Sequence, residues 1–228
     1  MDWNDVARPY SHVENSRRAI VFPFIRERLK ESSPGTLLDF GCGDGAFSLM
    51  CSDLAATIFN YDLSAEMSLL ARETCSGASN ICVVASLNEL DPASMDAITM
   101  NAVWMCLPTA EACATALHQM HGLLRSGGQL FASITHPCFR DRRFSAYETE
   151  FDQRNYLRNG THFKVRVFDT KNSVEFTDTH WNFSAVVEQL IDAGFVIRRL
   201  DELADAGDKA HESLGSPWVV VEALKITR

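Results

Sequence analysis

Leu37-Leu38-Asp39-Phe40-Gly41-Cys42-Gly43-Asp44-Gly45 decides how the rest of the chain is read. Two apolar residues and an acid run into three glycines at alternate positions. Leu37 and Leu38 suit a strand in the middle of a parallel sheet, where both faces are covered. Glycines 41, 43 and 45 permit a tight turn and leave the backbone bare to an approaching ligand. Ala46 to Met50 then reads as the first turns of a helix packing back on that strand. A glycine-rich strand-to-helix turn is where α/β folds bind nucleotide-like ligands.

The position of the acid separates this site from a dinucleotide site. The dinucleotide fingerprint is G-x-G-x-x-G, which rests a pyrophosphate on a helix N-terminus. Here the spacing is G-x-G-x-G, and Asp39 is expected close to the ligand, where it repels phosphate and suits an ammonium group. An ordinary glycine turn after a strand is the bland alternative. The stretch resembles the first motif of the class I S-adenosylmethionine (SAM)-dependent methyltransferases, in which two hydrophobic residues precede Asp-x-Gly-x-Gly-x-Gly. SAM carries an amino acid tail and a sulfonium cation but no phosphate.

The next strand extends the resemblance. Ala56 to Tyr61 is β-rich and ends at Asp62, a position from which a carboxylate can grip both ribose hydroxyls. Ser64 is placed to cap the following helix, and Leu63 and Met67 to flank the adenine. A third strand, Ile81 to Val84, leads into Ala85-Ser86-Leu87, where relatives carry Gly-Asp. Ser86 and the backbone N–H of Leu87 are therefore the expected adenine contacts. A fourth strand, Met95 to Met100, ends at Asn101 on the ligand side. The resemblance thus implies cofactor contacts from Asp39, Gly41, Cys42, Gly43, Asp62, Leu63, Met67, Ser86, Leu87 and Asn101.

Further elements alternate between helix and strand. Ala110 to Leu124 has helical spacing, Gly127-Gly128 turns into a fifth strand ending at Ile134, and Ser184 to Ala193 is a helix stopped by Gly194. Phe195 to Ile197 and Trp218 to Leu224 are the last two strands. The resemblance implies a three-layer α-β-α Rossmann-like sheet of about seven strands in the order 3-2-1-4-5-7-6, with the last strand antiparallel. Residues 1–228 are read as one domain.

Two segments lie outside that minimal fold. Residues 1–30 form an N-terminal helical cap, which either closes over the cofactor, bringing Tyr10 to the site, or simply covers the sheet. The insertion at 137–180 contains a hairpin in which Phe163, Val165 and Val167 alternate with polar residues and Val174-Glu175-Phe176 returns. A hairpin cannot bury its face alone, so it is either a lid over the substrate or a dimer contact.

Thirty acids against 21 Lys and Arg leave a net charge of −9, which disfavours a nucleic-acid substrate. The seven cysteines stand singly and supply no C-x-x-C pair, so neither a disulfide framework nor a zinc site is supported. With no signal-peptide pattern and no membrane-length apolar span, the expected compartment is cytoplasmic. The expected partner is a small-molecule acceptor and the expected assembly a monomer or homodimer.

Methylation of a hydroxyl needs a base. The candidates are His136, just past the fifth strand, and His180, where the insertion returns to the core. The reading is a methyltransferase that moves the SAM methyl to an oxygen or nitrogen and releases S-adenosylhomocysteine (SAH). The alternatives are a non-catalytic SAM-binding protein and an NAD-dependent oxidoreductase.

Overall fold

The computed structural model describes residues 3–13, 17–204 and 215–226. β1 (Thr36–Phe40) and β4 (Met95–Asn101) lie side by side and parallel at the centre of a seven-stranded sheet. Their side chains alternate between two apolar layers: Leu37 and Ala97 face one, and Leu38, Ile98 and Met100 face the other. Covering on both faces is why these strands read as apolar runs rather than alternating ones.

β2 (Thr57–Tyr61) runs parallel to β1, β3 (Ile81–Val83) to β2, and β5 (Leu124–Thr135) to β4. β10 (Trp218–Lys225) is antiparallel to both β5 and β9 (Phe195–Leu203). The order β3-β2-β1-β4-β5-β10-β9 is the expected 3-2-1-4-5-7-6 arrangement with its last strand reversed.

On one face pack α1 (Trp3–Ser11), α2 (Phe22–Ser32), α3 (Ala46–Met50) and α4 (Ala65–Thr74). On the other pack α5 (Ala110–Leu123) and α6 (Phe183–Asp192). Side-chain caps fix three of these helices. Ser64 accepts from Met67 N at 3.2 Å, Thr109 from Ala112 N at 3.1 Å, and Asn182 from Ala185 N at 2.9 Å; each is worth about 1 kcal/mol.

Three details refine the sequence reading. The Gly127-Gly128 turn lies within β5, as an excursion from its pairing with β4, and regular pairing resumes at Gln129, where the sequence reading begins the strand. The β4 register jumps from Met95↔Leu124 to Ala97↔Gln129, with Gly127 at φ 76°. The N-terminal helix is interrupted, passing from α1 to a π-helical turn at Arg17–Val21 and then to α2. In that turn Arg17 is only 8% exposed.

The third is in the insertion, a sheet of three antiparallel strands: β6 (Tyr147–Glu150), β7 (Thr161–Phe168) and β8 (Ser173–His180). The expected hairpin is β7-β8, with Val165 opposite Phe176. The polar Tyr147-Glu148-Thr149-Glu150 gave no alternation to mark β6. Phe163, Val165, Val167, Val174 and Phe176 are buried in the same cluster as Ala7 and Tyr10 of α1, so this face packs on its own chain. Among the described residues, no helix is long and apolar enough to cross a membrane.

Candidate functional site

The site forms at the C-terminal ends of β1, β2 and β4, where open α/β sheets bind ligands. After Phe40 the chain turns sharply, with Gly41 at φ 72° and Gly43 at φ 57°. The N–H groups of Gly41 and Cys42 both donate to the Tyr61 carbonyl, at 2.7 and 3.0 Å. Asp62, the first residue after β2, completes the turn: its Oδ2 accepts from Gly43 N and its Oδ1 from Ser64 N, each at 2.9 Å. Burial raises the Asp62 pKa, and those two N–H bonds oppose the rise. The loop N–H groups that would hold a pyrophosphate are thus engaged within the protein, against a dinucleotide reading.

Asp62 faces a cavity of about 580 Å³, within the usual range for a cofactor. Tyr10, Gly41, Gly43, Leu63, Met67 and Asn101 also line it. Leu63 is 91% exposed, an apolar side chain at the mouth with no protein covering it. Asn101 is 3% exposed, and neither its amide nitrogen nor its amide oxygen has a hydrogen-bond partner among the described residues. A buried amide without partners is costly, so its place on the cavity wall points to a polar ligand.

Arg17 was not anticipated. Its guanidinium lies 5.4 Å from the Tyr10 ring centre and 5.2 Å from that of Phe22, on the same wall, and its buried Nε has no partner among the described residues. A lone arginine after the first helix carried no motif; only the break in that helix turns it inward.

Four residues expected at the cofactor do not line the cavity. Asp39 is 1% exposed and points beneath the loop, where Thr99 Oγ1 donates to its Oδ1 at 2.9 Å and the Ser48 hydroxyl meets its Oδ2 at 3.0 Å. Burial pushes its pKa up to about 6, opposed by those hydroxyls, by Arg17 and by the nearby Asn101 amide. Asp39 braces the glycine turn instead of lining the cavity. Cys42 is likewise buried, with its thiol pKa raised well above normal by burial. Ser86 accepts from Asn88 N while Glu89 accepts from Ser86 N, a reciprocal cap on a short 3-10 turn. Leu87 is buried in the cluster that includes α5.

Neither candidate histidine reaches the cavity. His136 is 2% exposed and packs against Phe139 and Phe183. Its Nδ1 accepts from Cys138 N at 3.2 Å and its Nε2 lies 2.7 Å from Glu202 Oε1. Burial lowers its pKa, and Glu202 opposes the shift. His180 is fully buried, with Nδ1 accepting from Arg140 at 2.8 Å and Nε2 donating to the Tyr156 carbonyl at 2.7 Å. Burial, and then Arg140, lower its pKa to about 4. In each ring the lone pair is occupied and the proton committed, so neither can take a proton from a substrate.

A second, nearly closed chamber of about 30 Å³ adjoins the large cavity, with Trp3, Tyr10, Arg17, Ala102 and Cys106 on the walls of both. The insertion sheet roofs it through Tyr147, Val165, Val167 and Phe176. Phe176 packs on Trp3 and Tyr10, with ring centres 5.3 and 5.8 Å apart. Asp178 projects into this chamber although only 2% exposed, and burial pushes its pKa up to about 7 against the pull of Arg140. Asp178 continues the inward series Val174, Phe176, Asp178, His180. The sequence signal was present, but it fades once the strand is ended at Phe176.

Residues 38–132 match a protein-family model described as "Methyltransferase domain". Many solved structures are similar in fold. A putative SAM-dependent methyltransferase from Listeria monocytogenes is 19% identical, with a TM-score of 0.62 over 88% of this chain and 97% of that one. A SAM-dependent methyltransferase from Clostridium acetobutylicum is 13% identical, with a TM-score of 0.65 over 99% of this chain and 96% of that one. The 1,6-didemethyltoxoflavin-N1-methyltransferase of Burkholderia thailandensis, solved with 1,6-didemethyltoxoflavin and SAH bound, is 15% identical, with a TM-score of 0.61 over 94% of this chain and 80% of that one. No curated protein matches the sequence.

Proposed function

We propose that the chain is a SAM-dependent methyltransferase of the class I fold that methylates an oxygen or nitrogen of a small-molecule acceptor. The observation that carries this reading is the pairing of the two compartments. A cofactor-sized cavity fronted by Asp62 and Leu63 opens beside a small chamber roofed by the insertion sheet. A chamber this confined suits a small acceptor, and the net charge of −9 repels nucleic acid. The Burkholderia enzyme's acceptor is likewise a small molecule.

The residues present fit the cofactor. The free lone pairs of Asp62 suit the two ribose hydroxyls, and Leu63 and Met67 suit the faces of the adenine. The unpartnered amide of Asn101 and the guanidinium of Arg17 suit the amino acid tail, which offers an ammonium and a carboxylate. When bound, SAM supplies a methyl group on a sulfonium, already a good leaving group. What this chain contributes is alignment and the exclusion of water. Trp3, Tyr10 and Phe176 close the chamber on one side, and the Trp104–Cys106 turn after β4 borders it through Met105 and Cys106.

Calorimetric titration with SAM, SAH and NADH tests the reading. Micromolar-range binding of the two adenosyl ligands, weakened roughly ten- to a hundred-fold by Asp62→Ala, is expected on the usual worth of hydrogen bonds to a charged group. Binding of NADH alone favours the oxidoreductase. Adenosyl binding without methyl transfer to any of a broad set of small acceptors favours the non-catalytic alternative.

A further inference from the structure

We propose that Asp178, carried on the insertion sheet, is the catalytic base, and that the acceptor is a compact planar ring bearing a phenol-type hydroxyl. This rests on the methyltransferase reading and adds to it the proton acceptor and the substrate class.

The chamber's chemistry is specific. Its walls are mainly aromatic and aliphatic, with Trp3, Tyr10, Tyr147, Phe176 and Trp218 among them, and flat rings favour such surroundings. Besides the tyrosines, and Arg17 on the wall shared with the large cavity, three polar side chains interrupt them. The Asp178 carboxylate is one. Thr135 Oγ1 is another, buried and without a partner among the described residues. The third is the Cys106 thiol, whose Sγ lies 4.0 Å from Asp178 Oδ1 and whose pKa burial raises well above normal, leaving it neutral.

The charged and titratable groups around Asp178 come from every element packed on it. Arg140 follows β5, Tyr147 is on β6, His180 is on β8 itself, Tyr10 is on α1, and Arg17 is in the π-helical turn. Arg140 is 2% exposed and held by His180 Nδ1 and the Thr135 carbonyl, so one fixed cation balances one carboxylate without occupying the chamber. His180 is neutral and does not compete for the proton.

The charge balance of the step suits this place. The acceptor oxygen forms a bond to the methyl carbon while the carbon–sulfur bond breaks and sulfur keeps the electron pair. The hydroxyl proton passes to a carboxylate oxygen of Asp178, which later releases it to solvent. One positive and one negative charge vanish together, a change that a water-poor, apolar chamber favours.

The same step selects the acceptor. A carboxylate titrating near 7 can take the proton of a phenol-type hydroxyl, whose pKa is about 10 as in tyrosine. An alkyl hydroxyl, which ionises about as reluctantly as water at ~15.7, leaves the base a much larger gap to bridge. The chamber holds little more than one water-sized group in this conformation. The insertion sheet must therefore lift for a ring to enter, and it returns Asp178 as it closes.

The test uses the full chain labelled with carbon-13 at aspartate carboxyls and saturated with SAH, and the probes are phenol and its methyl ether, anisole. Asp178 is identified by the signal missing from Asp178→Asn. Phenol should lower the Asp178 titration midpoint by a pH unit or more, because its hydroxyl donates to the ionised carboxylate, whereas anisole should leave it unmoved. Asp178→Asn should weaken phenol at least ten-fold and anisole less than two-fold. Phenol and anisole acting alike on the wild-type signal, or no phenol binding to protein that binds SAH, overturns the proposal and leaves the cofactor reading standing. Folded protein that fails to bind SAH overturns the methyltransferase reading itself. If the variant does not fold, the wild-type comparison still decides the matter, because the proposal requires one aspartate carboxyl midpoint to fall with phenol and none to move with anisole.

Discussion

Nη1 of Arg140 donates to Nδ1 of His180 at 2.8 Å, and the far nitrogen of the same ring donates to the Tyr156 carbonyl at 2.7 Å. The imidazole is thereby held neutral between a cation and a carbonyl. Two residues earlier on the same strand face, Asp178 holds its proton up to about pH 7. The inner edge of β8 thus places two groups side by side whose titrations are driven in opposite directions by the same burial.

The pH dependence of stability follows from those directions. The Asp178 pKa is raised from 3.8 to about 7, so between those values the folded protein keeps a proton that the unfolded chain releases. Its contribution is full below pH 3.8 and is lost as pH rises to about 7. Asp178→Asn removes that loss, so the variant should gain on the wild type as pH rises through this window, by up to about 4 kcal/mol. His180 acts oppositely: its pKa falls from 6.5 to about 4, so its contribution is present above pH 6.5 and is lost as pH falls towards 4. His180→Gln should therefore lose least, relative to the wild type, at the acid end. Urea unfolding of all three proteins across this range checks both slopes.

Gly41 carries the tightest steric demand in the cofactor loop. A Cβ there would come 2.3 Å from Val103 Cγ2, in a backbone already at φ 72°. Gly41→Ala should cost about 1–3 kcal/mol of stability and weaken SAH, because Val103 lines the cavity. Gly43→Ala meets no protein atom within 4 Å and should cost only the left-handed strain of about 1–2 kcal/mol. Equal denaturation midpoints for the two variants would count against the close approach of loop and Val103.

Arg17 should be replaceable without loss of fold. Arg17→Met keeps the length that packs between Tyr10 and Phe22 and relieves a buried charge. The expected result is unchanged or higher thermal stability with SAH weakened about ten-fold or more, in line with a lost charge-assisted bond. Unaltered SAH affinity would remove Arg17 from the cofactor site.

His136→Ala should behave in the reverse way. It removes the 2.7 Å contact with Glu202 and the packing on Phe139 and Phe183, for a loss of about 1–3 kcal/mol. SAH affinity should stay within about two-fold of the wild type. Weakened SAH binding in a variant of normal stability would contradict the structural role.

The fold was legible because it rests on local patterns: apolar runs for β1 and β4, a glycine turn, and acids at strand ends. The wall of the large cavity was legible for the same reason, since Asp62, Leu63, Met67 and Asn101 sit within a residue or a turn of a strand end. Asp39 misled because its position in the motif says nothing of which way the side chain turns, and two hydroxyls, from Ser48 and Thr99, draw it beneath the loop. Ser86 misled because Glu89, three residues on, makes it a helix cap. The acceptor side was illegible for a deeper reason. Asp178, Arg17 and Tyr147 meet only when a π-helical turn and a three-stranded insertion fold onto the sheet rim. Their sequence separation leaves no local trace of that encounter.

Both proposals depend on the large cavity opening onto the chamber that holds Asp178. A crystal structure of the protein with SAH tests it most directly. The predicted result has the ribose hydroxyls on Asp62, the adenine against Leu63, and the sulfur facing the space between Tyr10 and Asp178. SAH bound elsewhere, or bound with its sulfur turned away from that chamber, would contradict it.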